Sequence, residues 1–261
     1  MKRLISFFAL IAIMTTSALA YDFMVDGICY NQNSDGTSVT VTSQNSSTHR
    51  YTSLSGPLDI PSSVTYNGKD YSVTSIDNMA FAGCYDLTSV TIPNSITSIG
   101  YGAFMGCRGL KTVTIPKSVS KIGLNPFNAC RLTTIIVERG NMYYDSRNNC
   151  NAIIETETNT LVCGCSETII PNSVTIIANV AFMGLKDLES IHIPDSVTSI
   201  GKMAFKFCNN LTNLVIPNSV SKIGDEAFFG CKNLTIVIPN SVTEIGQEAF
   251  KDCYSVIKSG E

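Results

Sequence analysis

Histidine and tryptophan are the residues that this chain has least of: two histidines and no tryptophan occur among 261 residues. His49 lies in a polar loop, and His192 lies between two isoleucines, where it is expected to point outward. Neither has a carboxylate or a nucleophile beside it at a spacing typical of acid–base catalysis. The glycines follow no phosphate-binding pattern. The sequence therefore predicts a protein that is not an enzyme, with no catalytic, cofactor-binding or metal-binding residues.

Charged residues are also few, at 15% of the chain, and 18 basic residues against 21 acidic residues give a net charge of −3. The basic residues form no stripe, so a nucleic-acid partner is not expected. Beyond the N-terminal segment, no apolar run is long enough to span a membrane.

Residues 1–20 are typical of a secretory signal peptide. Lys2 and Arg3 precede an apolar run that is too short to anchor the chain in a bilayer, and small residues follow up to Ala20. We therefore expect cleavage after Ala20 and a protein that is secreted or held at the cell surface.

An isoleucine–proline pair recurs along the rest of the chain, most often at intervals of 22 or 23 residues. It is found at Ile60-Pro61, Ile92-Pro93, Ile115-Pro116, Ile170-Pro171, Ile193-Pro194, Ile216-Pro217 and Ile238-Pro239. A repeat of this length predicts a solenoid, in which each coil stacks on the next.

The aligned copies divide the repeat into parts. In each copy, three residues face inward: a leucine, a valine and the isoleucine of the Ile-Pro pair. The last two lie on a short strand, which the proline ends. A second inward pair lies at positions such as Ile96 and Ile99. The glycine that follows, as in Gly100, is expected to have a positive φ. The Ala-Phe pair after it is expected to form a short helical turn on the convex side.

Residues 21–58 lie outside the repeat and are predicted to be an N-terminal β cap; the solenoid is predicted over 59–261. Hairpin insertions are expected near 64–73 and 138–168. We interpret the second insertion as part of one degenerate coil, although a flexible break between two arrays is the alternative. The last coil has no visible cap. A partner covers it, its edge is tolerated, or the chain is a shortened form of a longer protein.

Ten cysteines in an exported protein would ordinarily suggest disulfides. Six of them recur at one position of the repeat, where equivalent Cβ atoms of stacked coils lie about 4.8 Å apart, against about 3.8 Å in a disulfide. We predict buried free thiols at Cys84, Cys107, Cys130, Cys208, Cys231 and Cys253. The remaining four are Cys29, Cys150, Cys163 and Cys165. For these cysteines, one interpretation is a disulfide from Cys150 to Cys163 or Cys165, and the other is burial as free thiols. A metal site there would lack a fourth ligand.

The unit L-x-x-V-x-I-P-x-S-V-x-x-I-G-x-x-A-F-x-x-C, over roughly residues 59 to 257, resembles the BspA-like leucine-rich repeat family of secreted and surface proteins of host-associated bacteria. Ala178 replaces the glycine in one copy, and Pro126 replaces the alanine in another. The resemblance implies a leucine-rich-repeat solenoid, mainly β, with a parallel strand ladder, short helical turns and a small N-terminal β cap. It also implies adhesion to host matrix proteins or to other bacteria.

One side chain of each strand must point outward between the two inward residues. These candidates for a protein-binding face are Thr91, Thr114, Ile136, His192, Val215 and Val237. Strand propensity alone would favour β-branched residues there. Apolar residues among Ser and Thr nevertheless favour recognition of a protein ligand, such as a host matrix or bacterial surface protein. The alternative is a structural role in the cell envelope, with pairing through the last coil and a possible homodimer. A glycan-binding module would need aromatic residues on this face, and it has none.

Overall fold

The computed structural model describes residues 21–44 and 54–259. The predicted signal peptide and His49 lie outside this part of the chain. The described residues are mainly short strands, and a 3-10 helix spans Arg147–Asn149. The strands are β1 (Phe23–Val25), β2 (Ile28–Gln32), β3 (Ser38–Thr42), β4 (Gly56–Asp59), β5 (Ser63–Tyr66), β6 (Lys69–Ile76), β7 (Leu87–Thr91), β8 (Ser98–Ile99), β9 (Thr112–Ile115), β10 (Lys121–Ile122), β11 (Thr134–Val137), β12 (Tyr144–Asp145), β13 (Ala152–Glu155), β14 (Thr160–Gly164), β15 (Ile176–Ile177), β16 (Ser199–Ile200), β17 (Asn213–Val215), β18 (Lys222–Ile223), β19 (Thr235–Ile238), β20 (Glu244–Ile245) and β21 (Ser255–Lys258).

Two walls of parallel strands and one side of turns enclose the core, which confirms the predicted solenoid. The first wall consists of the pairs β4–β7 and β9–β11 and the three strands β17–β19–β21. The second wall contains β3–β6–β8–β10 and, further along, β14–β15–β16–β18–β20. Equivalent residues of successive coils are in register, as in Val215 with Val237 and Ile200 with Ile223. Each coil therefore repeats the same cross-section one strand spacing further along.

Phenylalanine rings stack along the core beneath the turns. Phe81, Phe104 and Phe127 form one stack, with centroids 5.2 and 5.5 Å apart. A second stack consists of Phe182, Phe205, Phe228 and Phe250, with centroids 4.9, 5.2 and 5.5 Å apart. The Ala-Phe pair of each coil is thus a core element, and the rings bind neighbouring coils together.

Gly164 lies where the two phenylalanine stacks are interrupted. Its N–H donates to the carbonyl of Ala181, as the N–H of Phe81 does to the carbonyl of Ala103. Gly164 therefore occupies the phenylalanine position of the degenerate coil. A Cβ there would lie 2.1 Å from Cε1 of Phe182, so only glycine leaves room for that ring.

The glycine of the repeat does not have the positive φ that the sequence suggested. Gly100, Gly123, Gly201, Gly224 and Gly246 are all outside the left-handed region. A Cβ on any of them would instead lie 2.2–2.6 Å from a backbone nitrogen of the preceding coil. Close approach of two backbones, and not a turn conformation, therefore requires glycine at this position.

The predicted helical turn around Ala-Phe is a series of tight turns. In the first coil, the N–H of Ala82 donates to Met79 at 3.0 Å and that of Cys84 to Phe81 at 3.2 Å, so each bond spans three residues. In each coil, the residue before the alanine has a left-handed backbone conformation, and so does the second residue after the phenylalanine. The residues with positive φ at these two positions are Met79, Gly102, Asn125, Val180, Met203, Glu226, Glu248, Gly83, Gly106, Ala129, Gly184, Phe207, Gly230 and Asp252. Such regular reversals of φ prevent a helix from forming.

The N-terminal strands cover the first coil. β1, β2 and β3 form an antiparallel meander, and β3 continues in parallel onto β6 of the second wall. The ring of Phe23 stacks on Tyr66 at 4.1 Å, and Tyr66 belongs to the β5–β6 hairpin. The apolar end of the solenoid is therefore shielded by this meander and hairpin.

The coil between β11 and β15 is short on the turn side. Its hairpin, β13–β14, joins the second wall through a parallel pair of β14 with β15. On the turn side the flanking coils meet directly: the Asn125 side chain donates to the carbonyl of Val180 at 2.8 Å, and Arg131 pairs with Asp187 at 3.8 Å. We call this segment, residues 138–170, the shortened coil.

Candidate binding face

Five of the six outward residues named from the sequence lie on strands of the first wall, and His192 lies on no strand, two residues after the bridge residue Ser190. Register places Thr114 beside Ile136 and Val215 beside Val237. Thr91 and His192 are exposed, and Thr114 is half-buried. The inward residues that alternate with them, such as Val113 and Leu214, are buried. The outer surface of this wall is called the strand face below.

Two further apolar residues continue the same column of the strand face and were not named from the sequence. Ile257 is paired with Val237 in the last strand. Ile169 precedes Ile170-Pro171, as Thr91 precedes Ile92-Pro93, and it is exposed. Its coil lacks the leucine and valine landmarks, so alignment of the copies did not find it. The Ile-Pro pair that follows it was the available signal.

An apolar column therefore follows the C-terminal part of the strand face. Its members and the exposed fractions of their side chains are Ile136 (44%), Ile169 (73%), Val215 (77%), Val237 (47%) and Ile257 (43%). His192 lies within it, between Ile169 and Val215 in chain order. The N-terminal coils have Thr91 and Thr114 at these positions. The strand face is thus polar at one end and apolar at the other.

A column of small polar residues lies beside the apolar column. It contains Ser89, Thr112, Thr134, Ser190, Asn213 and Thr235, and Ser255 extends it by pairing with Thr235. Hydroxyl and amide groups can both donate and accept hydrogen bonds. Together the two columns combine apolar contact with hydrogen-bonding capacity, and protein interfaces use both.

The ten cysteines form no disulfide; nine of them are buried, and Cys253, which was predicted to be buried, is half-buried. The disulfide considered for Cys150 with Cys163 or Cys165 is not formed. Five of the six repeat thiols donate to the phenylalanine carbonyl of the preceding coil, at 3.0–3.3 Å. The pairs are Cys107–Phe81, Cys130–Phe104, Cys208–Phe182, Cys231–Phe205 and Cys253–Phe228. These thiols contribute to the packing of the coils and are not on the strand face.

The thiols are expected to make the protein sensitive to alkaline pH. Burial raises the pKa of Cys231 from 9.0 to about 12, and those of Cys150 and Cys253 to about 11. A thiol whose pKa is raised by folding stays neutral in the native protein while the unfolded chain ionises. The stability that it contributes is therefore present below pH 9 and is lost between about pH 9 and 12. Urea denaturation from pH 7 to 11 should show a falling midpoint above pH 9.

The matched control for this prediction is Cys231→Ser, whose hydroxyl can donate to Phe205 but does not titrate in this range. The variant should lose less stability between pH 9 and 11 than the wild-type protein. An identical fall in both proteins would show that other groups cause the alkaline loss.

A solenoid of 22- or 23-residue coils with two parallel strand walls and a side of tight turns defines the leucine-rich repeat class. Among the described residues, no helix is long and apolar enough to cross a membrane. Residues 74–161 and 153–259 match the BspA type leucine rich repeat region, with six copies. The chain therefore belongs to the BspA-type leucine-rich repeat family, as the sequence resemblance indicated. No curated protein sequence matches it.

Among the solved structures similar to this chain, three cover 86–92% of it. The pneumococcal vaccine antigen PcpA is 18% identical, with a TM-score of 0.57, over 86% of this chain and 77% of that protein. A leucine rich cell surface protein from Faecalibacterium prausnitzii is 23% identical, with a TM-score of 0.54, over 92% and 95%. A leucine-rich repeat protein from Bacteroides ovatus is 25% identical, with a TM-score of 0.52, over 87% and 61%. These similarities support the fold.

Proposed function

We propose that this protein is an exported, non-enzymatic binding protein that recognises a protein partner through its strand face. Adhesion to a host matrix protein or to another bacterial surface is the role that this implies. The observation that carries the proposal is the apolar column of Ile136, Ile169, Val215, Val237 and Ile257, which is exposed along the strand face.

Strand propensity alone does not account for this column. Threonine suits a strand as well as valine does, and it occupies the same position in the N-terminal coils at Thr91 and Thr114. The apolar residues are instead grouped at one end of the strand face. Burying apolar surface contributes about 25 cal/mol per Å². A partner that covers adjacent members of the column would therefore gain affinity from each of them.

Two observations support export and a surface location. The N-terminal twenty residues have the order of a signal peptide, with basic, apolar and small residues in turn. Of the similar structures, one is described as a cell surface protein and another as a vaccine antigen. Both descriptions fit a protein that meets its partner outside the cell.

Combined replacement of Ile136, His192, Val215 and Val237 by serine is expected to weaken partner binding at least about tenfold, because the few residues at the centre of an interface that dominate binding each cost more than about 1 kcal/mol when truncated. The partner is first selected from purified host matrix proteins and bacterial surface proteins immobilised on a sensor. Circular dichroism should show an intact fold, since all four residues point outward.

The control variant replaces exposed apolar residues away from the strand face, namely Leu124, Met142 and Ile176, by serine. It should bind as the wild-type protein does. Equal binding by both variants would contradict the proposal. Sedimentation of the exported chain provides a further check, because concentration-dependent dimers would favour the assembly role instead.

A further inference from the structure

A cleft of about 440 Å³ opens on the strand face where the shortened coil meets the next one. It is lined by Ser166, Glu167, Thr168, Ile169, Asp187, Glu189 and Ser190. The cleft exists because the first wall is interrupted there: β9–β11 ends one sheet, and the next begins at the bridge between Ser190 and Asn213. The shortened coil fills this interval without contributing a strand to the first wall, because its strands β12, β13 and β14 all belong to the second wall.

The cleft combines one apolar side chain with three carboxylates. Ile169, at 73% exposure, is the second most exposed member of the apolar column. Asp187 is paired with Arg131 across the shortened coil at 3.8 Å. Glu167 and Glu189 are exposed, and neither forms an ion pair within the described residues. The cleft therefore has an uncompensated negative charge beside an apolar contact.

We propose that the partner segment bound at this cleft is basic: it places an apolar side chain against Ile169 and lysine or arginine side chains against Glu167 and Glu189. This inference rests on the proposed function and names the chemistry of the partner. Charge complementarity is the argument for it, because a complementary potential favours association and disfavours the wrong partner. An acidic segment would meet like charges at the same contacts.

The apolar column gives the approximate length of the segment. The column runs over six successive coils, so five strand spacings of about 4.8 Å separate its ends, and its length is about 24 Å. An extended peptide covers that length with about seven residues. A segment of this kind would cross the strands, with its basic residues at the cleft and its apolar residues at Val215 and Val237. A peptide of about ten residues is therefore a sufficient probe.

The test uses two synthetic peptides in a serine and threonine background, with leucines at identical positions and either lysine or glutamate between them. Fluorescence anisotropy measures their binding to the exported protein at low salt and at about 0.5 M salt. We expect the lysine peptide to bind about tenfold more tightly than the glutamate peptide, and salt to remove most of that preference.

The decisive variant is Glu167→Gln with Glu189→Gln, which keeps the shape of both side chains. It should weaken the lysine peptide about fivefold, in line with two exposed charge pairs. Glu157→Gln with Glu244→Gln removes the same net charge away from the cleft. This control should leave the affinity for the lysine peptide unchanged, apart from the weak long-range effect of the lost charges. Equal binding of the two peptides, or equal effects of the two charge variants, would overturn the inference.

Failure of this inference can be told apart from failure of the proposed function. If the serine variant of the strand face loses its protein partner while Glu167→Gln with Glu189→Gln retains it, the face binds but the segment is not basic. If neither variant affects the partner, the strand face is not the binding site. If Ile169→Ser abolishes a concentration-dependent dimer, a second copy covers the cleft, and the basic segment is excluded.

Discussion

Replacement of Gly201 by alanine is expected to destabilise the protein by about 3 kcal/mol, the upper range for overpacking of a close-packed site. The new Cβ would lie 2.6 Å from the backbone nitrogen of Asn179 and 2.7 Å from the carbonyl carbon of Ala178. Backbone atoms cannot rotate away as a side chain can. Relief would require the two coils to separate and would lengthen the bond from the Gly201 N–H to Ile177, now 2.8 Å. Urea denaturation followed by circular dichroism measures the loss.

The equivalent position in the preceding coil provides the matched control, because Ala178 is natural there and stacks on the shortened coil. Ala178→Gly should cost only about 1 kcal/mol, the usual entropic penalty of glycine. Gly246→Ala, in the last coil, should cost less than Gly201→Ala, since its coil has no neighbour on the outer side within the described residues. Similar losses in all three variants would show that close approach is not what requires glycine.

Phe205→Ala is expected to cost about 3–5 kcal/mol, the range for removing a buried aromatic ring. Phe205 is fully buried between Phe182 at 4.9 Å and Phe228 at 5.2 Å. The cavity would leave Phe182 and Phe228 without the ring that packs between them, so the coil of Phe205 should lose packing against both of its neighbours. Because stability in a solenoid depends on the interfaces between neighbours, the whole array should unfold at lower urea concentration in a single transition.

Phe250→Ala tests whether position in the stack decides this cost. Phe250 is half-buried and has one ring neighbour, Phe228, at 5.5 Å. Its replacement should therefore cost less than half as much as Phe205→Ala. Both midpoints can be measured in the same urea series as the glycine variants. Equal costs would mean that the ring contributes mainly within its own coil.

The features that every coil repeats could be predicted from the sequence alone. The recurrence of Ile-Pro identified the solenoid, and the aligned copies identified its inward residues, such as Leu110 and Ile115, which are buried. The same alignment predicted the free thiols, since it showed one cysteine position recurring in six coils. A property shared by all copies is set by the period of the chain, because the period fixes which side of the coil a residue faces.

The features that depend on the adjacent coil could be found only in the folded chain. Glycine at Gly201 is required by the backbone of the coil before it, and the turns around Ala-Phe result from left-handed residues of several types, such as Met203 and Glu226. Ile169 joined the apolar column, and the cleft beside it appeared, because the shortened coil brings Arg131 to Asp187 and interrupts the first wall. A contact between coils is a distance in space, and the spacing of residues within one repeat does not specify it.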